Sequence, residues 1–187
     1  MRMDRSATRT AADVVNDYDV AALVAMLRRH ADEPHARRIA RAIAAARPLH
    51  TTTELAEIVR DAVPAPARRR GGHPARRTFQ AIRIEVNEEL DVLAGALGQA
   101  LGLLVPRGRC AVLAYHSGED RIVKRVFRDA AGEKPPPRPD LPPPSDQVAT
   151  VRTLWRGSRT PSAEEIASNP RAEAARLRCV EKLEVAA

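Results

Sequence analysis

The chain has 187 residues, 44% of them hydrophobic, which is enough for one domain or two small ones with a real core. This composition excludes an intrinsically disordered protein. The formal net charge is +7, and only three of the 31 basic residues are lysines. Guanidinium groups match phosphate oxygens with paired hydrogen bonds, so this surface favours a polyanionic partner, although a GC-rich genome also enriches arginine.

Membrane and metal signals are weak in this sequence. It contains no run of about 18 apolar residues and no signal-peptide pattern. The two cysteines, Cys110 and Cys179, lack a metal-ligand spacing and are expected to lie in the core. We therefore expect a soluble, cytoplasmic protein with no membrane partner and no metal site.

Residues 1–77 show helical periodicity throughout. Asp19 predicts the start of one helix, and Pro34 opens a second. Thr51 and Glu54 form a capping box for a third. Short amphipathic helices can bury their apolar stripes only against one another, so we predict a small helical bundle.

Basic side chains form two stripes in and after this segment. The linker at 64–74 is rich in proline, glycine and arginine, and no acidic residue lies between Ala65 and Ile84. A solvated loop would explain such a run equally simply. The candidate contacts for a polyanion are Arg37, Arg38 and Arg41 on one helical side, and Arg68, Arg69, Arg70, His73, Arg76 and Arg77 around the linker.

The second half alternates helical and strand patterns. A long helical pattern from Thr78 to Leu104 has a candidate restart at Asn87. The apolar run Cys110–Tyr115 predicts a strand buried on both faces, as in a parallel sheet. A helix follows, for which Ser117 is a suitable cap.

The remaining segments are shorter. A proline-rich stretch at 133–146 predicts a semi-rigid spacer. After it we predict a strand at Val151–Trp155 and a short helix with a capping box of Ser162 and Glu165. A final strand at Arg176–Val185 would pair with the preceding strand.

The turn after Cys110–Tyr115 holds the candidate catalytic residues. In open α/β sheets, ligands bind beyond the carboxyl ends of the strands, where His116, Ser117, Glu119 and Asp120 lie. His116 could donate to a phosphate or accept a proton, with Glu119 or Asp120 orienting it. Alternatively, Ser117, Glu119 and Asp120 cap the helix, and the carboxylates pair with Arg121 or Lys124.

Three sequence blocks resemble one known family. The segment AYHSGEDRIVKRVF at 114–127 is similar to the SFHSLEDRIVKRFF signature of the RsmH (MraW) family. The blocks HPARRTFQAIRIEVNEEL at 73–90 and NPRAEAARLR at 169–178 agree in the same order. The resemblance implies S-adenosyl-L-methionine as cofactor, the small ribosomal subunit as partner, and methylation of N4 of a cytosine in 16S ribosomal RNA. It also adds Arg171 to the candidate RNA contacts, with Arg176 and Arg178 as further phosphate contacts; alternatively, these arginines only lie on the exposed face of a strand.

The resemblance implies an α/β fold, namely a class I (Rossmann-like) methyltransferase sheet with an α-helical substrate domain. Residues 1–77 would form that substrate domain, and 78–187 would form the C-terminal half of an incomplete sheet. The family's glycine-containing cofactor loop has no counterpart, and no GxG occurs, so no cofactor-binding residue can be assigned.

Three residues of this chain differ from the pattern of the family. Gly118 replaces the family's leucine, and Glu173 and Ala174 replace its usual Arg-Ser. The chain resembles only the C-terminal part of such an enzyme, so we expect it to be inactive alone and to self-associate through an open strand edge. The alternative function is a non-catalytic, basic RNA-binding fragment.

Overall fold

The computed structural model describes residues 1–4, 6–68, 72–133 and 148–184. It divides the chain into two compact units, Met1–Glu89 and Leu90–Ala187. This boundary lies later than the one expected at residue 77, because helix Arg76–Asn87 packs against helix Val20–Ala31 of the first unit.

The first unit is helical in its described residues, which confirms the predicted bundle. Helix Val20–Ala31 packs against helices Ala36–Ala45 and Arg76–Asn87. Helix Thr52–Ala62 packs in turn against Ala36–Ala45. The largest fully buried side chains of this core are Leu23, Leu27, Ile39, Ile43, Ile82, Val14 and Val59. The helices are α1 (Ala11–Asp17), α2 (Val20–Ala31), α3 (Ala36–Ala45), α4 (Thr52–Ala62), α5 (Ala65–Arg68) and α6 (Arg76–Asn87).

Two predicted helix starts are confirmed by their capping bonds. The Asp19 carboxylate accepts a hydrogen bond from the backbone N–H of Ala22 at 2.7 Å, which opens α2. Thr51 and Glu54 form the reciprocal capping box of α4. Each bond satisfies a backbone donor that the first helical turn leaves without a partner.

A partly buried carboxylate, Glu85 of α6, joins several elements of the first unit. Its two oxygens lie 2.7 Å from Nε2 of His30 and 2.9 Å from the hydroxyl of Tyr18, which donates to it. The guanidinium of Arg9 lies 3.8 Å away. Burial opposes ionisation, but the contacts with His30, Tyr18 and Arg9 outweigh it and lower the pKa of Glu85.

The second unit combines helices with a small sheet, so the chain is a mixed α/β protein. Its three described strands, β1 (Arg109–Ala114), β2 (Val151–Thr153) and β3 (Arg176–Lys182), are antiparallel and lie in the order β1-β3-β2. Ala111 of β1 faces Cys179 of β3, and Thr153 of β2 faces Val180. The elements are α7 (Glu89–Leu103), β1 (Arg109–Ala114), α8 (Ser117–Ala130), β2 (Val151–Thr153), α9 (Ala163–Ser168), a 3-10 helix (Pro170–Ala174) and β3 (Arg176–Lys182).

The expectation for β1 as a parallel strand buried on both faces is wrong. The strand pairs antiparallel with β3 and lies at the edge of the described sheet. One face carries Cys110 and Val112 and packs on the apolar core of the unit, whereas Leu113 on the other face is 50% exposed. A short apolar run does not reveal whether both of its faces are covered.

The helical pattern from Thr78 to Leu104 is interrupted near Asn87 as expected, but the interruption has a different cause. Glu88 adopts a left-handed conformation with φ of 52° and separates α6 from α7. Asn87 does not cap the second helix through its side chain; its amide accepts from the N–H of Met3 and donates to the carbonyl of Met1. The proline-rich spacer predicted at 133–146 lies, from residue 134 onward, outside the described residues.

Candidate nucleic-acid interface and the turn after strand β1

Helix α3 presents three arginines to solvent. Ile39 and Ile43 bury the opposite side of the helix, so Arg37, Arg38 and Arg41 are exposed. Within the ranges that the structure describes, none of these three guanidinium groups makes a hydrogen bond or an ion pair. Their positive charge is therefore available to an external anion.

The start of α6 carries a second exposed basic group. Arg76 and Arg77 are exposed, and neither guanidinium group has a polar partner among the described residues. His73 is also exposed, and its Nδ1 accepts a hydrogen bond from the backbone N–H of Ala75 at 3.2 Å. This bond holds the ring against the turn that precedes α6.

Arg68 does not belong to an uncompensated run, which corrects the expectation for the linker. Its guanidinium donates to the carbonyl of Val63 at 2.7 Å and to that of Asp61 at 3.1 Å, and it lies 3.8 Å from the Asp61 carboxylate. The side chain thus satisfies carbonyls at the end of α4. Arg69 and Arg70 lie outside the described residues.

Arg171 is the candidate RNA contact of the second unit. It lies in the 3-10 helix and is exposed, with no polar partner among the residues that the structure describes. Arg176, five residues later, donates to the carbonyls of Glu173 and Ala175 and has no described carboxylate partner.

The turn after β1 is a closed capping structure. The cap is His116, whose Nδ1 accepts from the N–H of Glu119 at 3.3 Å, so the expectation that Ser117 caps α8 is wrong. One oxygen of Glu119 in return accepts from the N–H groups of Tyr115 and His116, at 2.8 and 3.2 Å. The capping bonds thus tie the end of β1 to the first turn of α8.

The second ring nitrogen of His116 is less well satisfied. Nε2 lies 3.2 Å from the other Glu119 oxygen, within ion-pair distance, but this buried atom is not aligned for a hydrogen bond. The neighbouring His116 ring and the backbone N–H of Tyr115 lower the pKa of Glu119, although burial opposes them. The carboxylate of the cap is therefore favoured in its ionised form.

Asp120 forms a long-range pair that sequence spacing did not suggest. Its two oxygens accept hydrogen bonds from Nε and Nη2 of Arg178 on β3, at 2.8 and 2.9 Å. Both side chains are largely buried, with exposed fractions of 22% and 13%. A paired carboxylate and guanidinium thus fasten α8 to the sheet.

The structure brings the catalytic candidates together, but in fold-stabilising contacts. His116 and Glu119 cap α8, Asp120 binds Arg178, and Ser117 begins the helix. A catalytic role for these four residues stays a prediction. Arg178, which sequence reasoning did not connect to this turn, could have been found only by knowing that β3 lies beside β1.

The described residues do not fit S-adenosyl-L-methionine. No glycine-containing cofactor loop occurs in the chain, and at the glycine of the turn after β1, Gly118, a Cβ would lie 3.1 Å from the His116 ring and 3.4 Å from Leu90. Protein atoms, not an open cradle, fill the space beside it. Among the described residues no group of three His, Cys, Asp or Glu side chains could hold a metal, and no helix is long and apolar enough to cross a membrane.

Comparison with known proteins supports the resemblance seen in the sequence. The chain is 55% identical over 186 residues to the ribosomal RNA small subunit methyltransferase H of Frankia casuarinae, covering 97% of this chain and 57% of that protein. The proteins of the same name from Thermobifida fusca and Acidothermus cellulolyticus are 50% and 51% identical, over 97% and 98% of this chain and 56% of each relative.

The chain therefore spans a little over half the length of these curated relatives. The family match itself covers almost the whole chain, from residue 1 to residue 183. Identities of at least 50% and this family match together show that the chain belongs to the MraW methylase family.

Proposed function

We propose that this chain is part of a cytoplasmic, S-adenosyl-L-methionine-dependent enzyme that methylates N4 of a cytosine in 16S ribosomal RNA. Family membership supports methyl transfer, and the name of the relatives supports a small-subunit ribosomal RNA substrate. The structural observation that carries the proposal is the arginine face of α3, Arg37, Arg38 and Arg41, which makes no polar contact among the described residues.

The α3 face suits the backbone of a nucleic acid. Arg37 and Arg41 are four residues apart, so they lie about 6 Å apart along the helix axis and point to the same side. Arginine donates to phosphate oxygens bidentately. Such contacts position an RNA strand without reading its sequence. The exposed Arg76, Arg77 and Arg171 would add further phosphate contacts, and the helical unit would act as the substrate domain.

The cofactor, when bound to the whole enzyme, supplies the methyl group. Because the described residues do not fit it, this chain alone is proposed to be inactive. We assign the three-stranded sheet to the second half of a class I (Rossmann-like) methyltransferase sheet. The edge position of β1 and the 50% exposure of Leu113 on its outer face support an incomplete sheet, and they also favour self-association.

The test of the RNA role is the replacement of Arg37, Arg38 and Arg41 with alanine. Affinity for small-subunit ribosomal RNA should fall, and the slope of log affinity against log salt should decrease by up to about three charge units. A charge-matched control replaces the exposed Lys124, Arg125 and Arg156 of the second unit. Equal slopes for the wild type and the α3 variant would refute the interface.

The second candidate function is a non-catalytic RNA-binding fragment, favoured by the filled space beside Gly118. Titration with S-adenosyl-L-methionine by calorimetry distinguishes the two. The incomplete enzyme proposed here should show no specific heat alone, and binding should appear when the part of the relatives' sequence that this chain does not match is supplied. Absence of binding in that complete protein would favour the non-catalytic fragment.

A further inference from the structure

The sheet of the second unit has a basic face, opposite to the face that contacts α7 and α8. In an antiparallel sheet, directly opposed residues place their side chains on the same face. Arg178 and Lys182 of β3 point to the covered face, where they bond to Asp120 of α8 and to the carbonyl of Leu101 in α7. The opposite face carries the alternate positions of the strands, which are Arg109, Ala111, Leu113, Arg152, Leu177, Cys179 and Glu181. Glu181 is the only acidic side chain at these described positions.

Two arginines on this face hold one carboxylate. Glu181 is 6% exposed, and its neighbours across the sheet are Arg109 on β1 and Arg152 on β2. Arg109 donates from Nε to one Glu181 oxygen at 2.9 Å, and Arg152 donates from Nε and Nη2 to the other oxygen at 3.0 and 2.6 Å. The bonds from Arg152 and Arg109 lower the pKa of Glu181, so its carboxylate is ionised at neutral pH. We call these three residues the Glu181 clamp.

The Glu181 clamp leaves guanidinium donors exposed to solvent. The side chains of Arg109 and Arg152 are 66% and 64% exposed. Within the described part of the chain, the two terminal nitrogens of Arg109 and Nη1 of Arg152 have no acceptor. Because both guanidinium groups bind one carboxylate, their central carbons lie at most about 8 Å apart. Oxygens of one phosphate, or of two successive phosphates of a strand, can therefore reach both groups.

The charges of this face favour an extended anion. The two guanidinium groups of the clamp outweigh its single carboxylate, and the nearby Arg107 adds no net charge because it pairs with Glu184 at 3.0 Å. Arg159 lies opposite Leu177, on the same face, and is exposed. Its guanidinium lies 4.4 Å from the centre of the Trp155 ring and has no carboxylate partner among the described residues. The two pairing positions on β3 are about 13 Å apart along the strand, so a chain of phosphates suits this face better than one small anion.

We infer that the Glu181 clamp binds the phosphate backbone of RNA. The inference rests on the proposed function, which supplies the RNA, and it adds a binding site in the second unit. Glu181 fixes two long side chains in advance, and side chains that are already ordered lose less entropy when a ligand binds. Arginine donates to phosphate oxygens in pairs, so the clamp strengthens binding without selecting a sequence.

The experiment measures how a short fluorescein-labelled single-stranded RNA binds to the full chain at several salt concentrations. Arg109→Gln and Arg152→Gln, made one at a time, should each lower the slope of log affinity against log salt by about 0.7 and weaken binding roughly threefold to tenfold. The two arginines are not replaced together, because the Glu181 carboxylate would then have no cation. Arg107→Gln is the matched control: it removes the same charge from a neighbouring residue and should keep the wild-type slope.

Nuclear magnetic resonance of the arginine side chains gives a second measurement that does not depend on stability. Adding the unlabelled RNA to the wild type should shift the Nε–H signals of Arg109 and Arg152 and leave that of Arg107 in place. Each signal is assigned by its disappearance in the corresponding glutamine variant. A merely structural role of the clamp predicts no shift, since the RNA would not contact these groups.

The outcomes separate the clamp from the proposed function. Wild-type slopes in both clamp variants, or an equal decrease in Arg107→Gln, would overturn the inference. It would also be overturned if the clamp variants lost binding to poly-L-glutamate but not to RNA, because the occupant would then be an acidic protein. If the wild type binds no RNA, the proposed function fails as well, whereas RNA binding that depends on the α3 arginines but not on the clamp refutes only the clamp. Circular dichroism checks the fold of each variant.

Discussion

The arginine face of α3 and the turn after β1 use charge in opposite ways. On α3, Arg37, Arg38 and Arg41 make no polar contact among the described residues. In the turn, Glu119 caps the helix and Asp120 is held by Arg178 through two hydrogen bonds. Charged residues that look alike in the sequence are therefore exposed without polar contacts in one region and stabilise the fold in the other.

The largest expected effect is in the turn. Asp120→Ala should destabilise the second unit by about 3 kcal/mol, because it leaves the largely buried Arg178 without its carboxylate. Urea unfolding followed by Trp155 fluorescence measures this, since that tryptophan is the only one in the chain and belongs to the second unit. The double variant Asp120→Ala/Arg178→Ala should recover part of the loss. If Asp120→Ala were as stable as the wild type, the pair of Asp120 and Arg178 would not stabilise the second unit.

The second largest expected effect is on stability and concerns Glu85, a carboxylate of the first unit. Glu85→Gln should cost about 2 kcal/mol at neutral pH, because its contacts with His30 and Tyr18 are weakened. The folded state lowers the pKa of Glu85, so the ionised form stabilises the fold. This contribution is complete above the carboxyl's ordinary pKa and is lost as the pH falls through the lower, folded-state pKa.

Circular dichroism melts across the acidic range test this sign. The wild type should lose helical stability on acidification more steeply than Glu85→Gln. Glu57→Gln on the exposed side of α4 is the matched control and should follow the wild type. Parallel pH profiles for wild type and Glu85→Gln would contradict the assignment of the stabilising charge to Glu85.

Local signals in the sequence predicted the helical unit better than the sheet. Asp19, Thr51 and Glu54 act within three residues of the groups that they cap, so their roles follow from spacing alone. The direction and exposure of β1 depend on β3, which lies more than 60 residues later in the chain. The pair of Asp120 with Arg178, which are 58 residues apart, was missed for the same reason.

The candidate site shows the same division. The exposed arginines of α3 were predicted because helical periodicity separates them from the buried Ile39 and Ile43. The pairing of Arg68 was not predicted because its partner, Asp61, precedes the segment without acidic residues that runs from Ala65 to Ile84. The cap was predicted at Ser117 instead of His116 because a histidine ring is an unusual choice at an N-cap.

A smaller effect is expected for the cap itself. His116→Ala should cost about 1 kcal/mol, the usual value of an N-cap bond. His116→Asn should restore most of it, because a short amide oxygen can accept from the N–H of Glu119. Unfolding followed by Trp155 fluorescence gives both numbers. If His116 instead has a chemical role, alanine should leave stability unchanged, and in the complete protein both variants should lower methyl transfer.

The smallest effect is expected where the charges are unpaired. Replacing Arg37, Arg38 and Arg41 with alanine should change the stability of the helical unit by no more than about 0.5 kcal/mol, because like charges four residues apart already repel each other. Alanine also has the highest helix propensity. The matched comparison is Arg47→Ala in the same unit, whose guanidinium donates to the carbonyls of Val15 and Tyr18 at the end of α1. That single change should cost about 1–3 kcal/mol, because it leaves partly buried carbonyls without donors.

Helical melts of the two variants, combined with their RNA affinities, should therefore give opposite rankings. The triple variant should lose RNA binding and keep its fold, whereas Arg47→Ala should lose stability and, while folded, keep its salt-dependent binding. A triple variant that loses stability as much as Arg47→Ala would show that the α3 arginines serve the fold, and recognition would have to be assigned to the other exposed arginines, Arg76, Arg77 and Arg171.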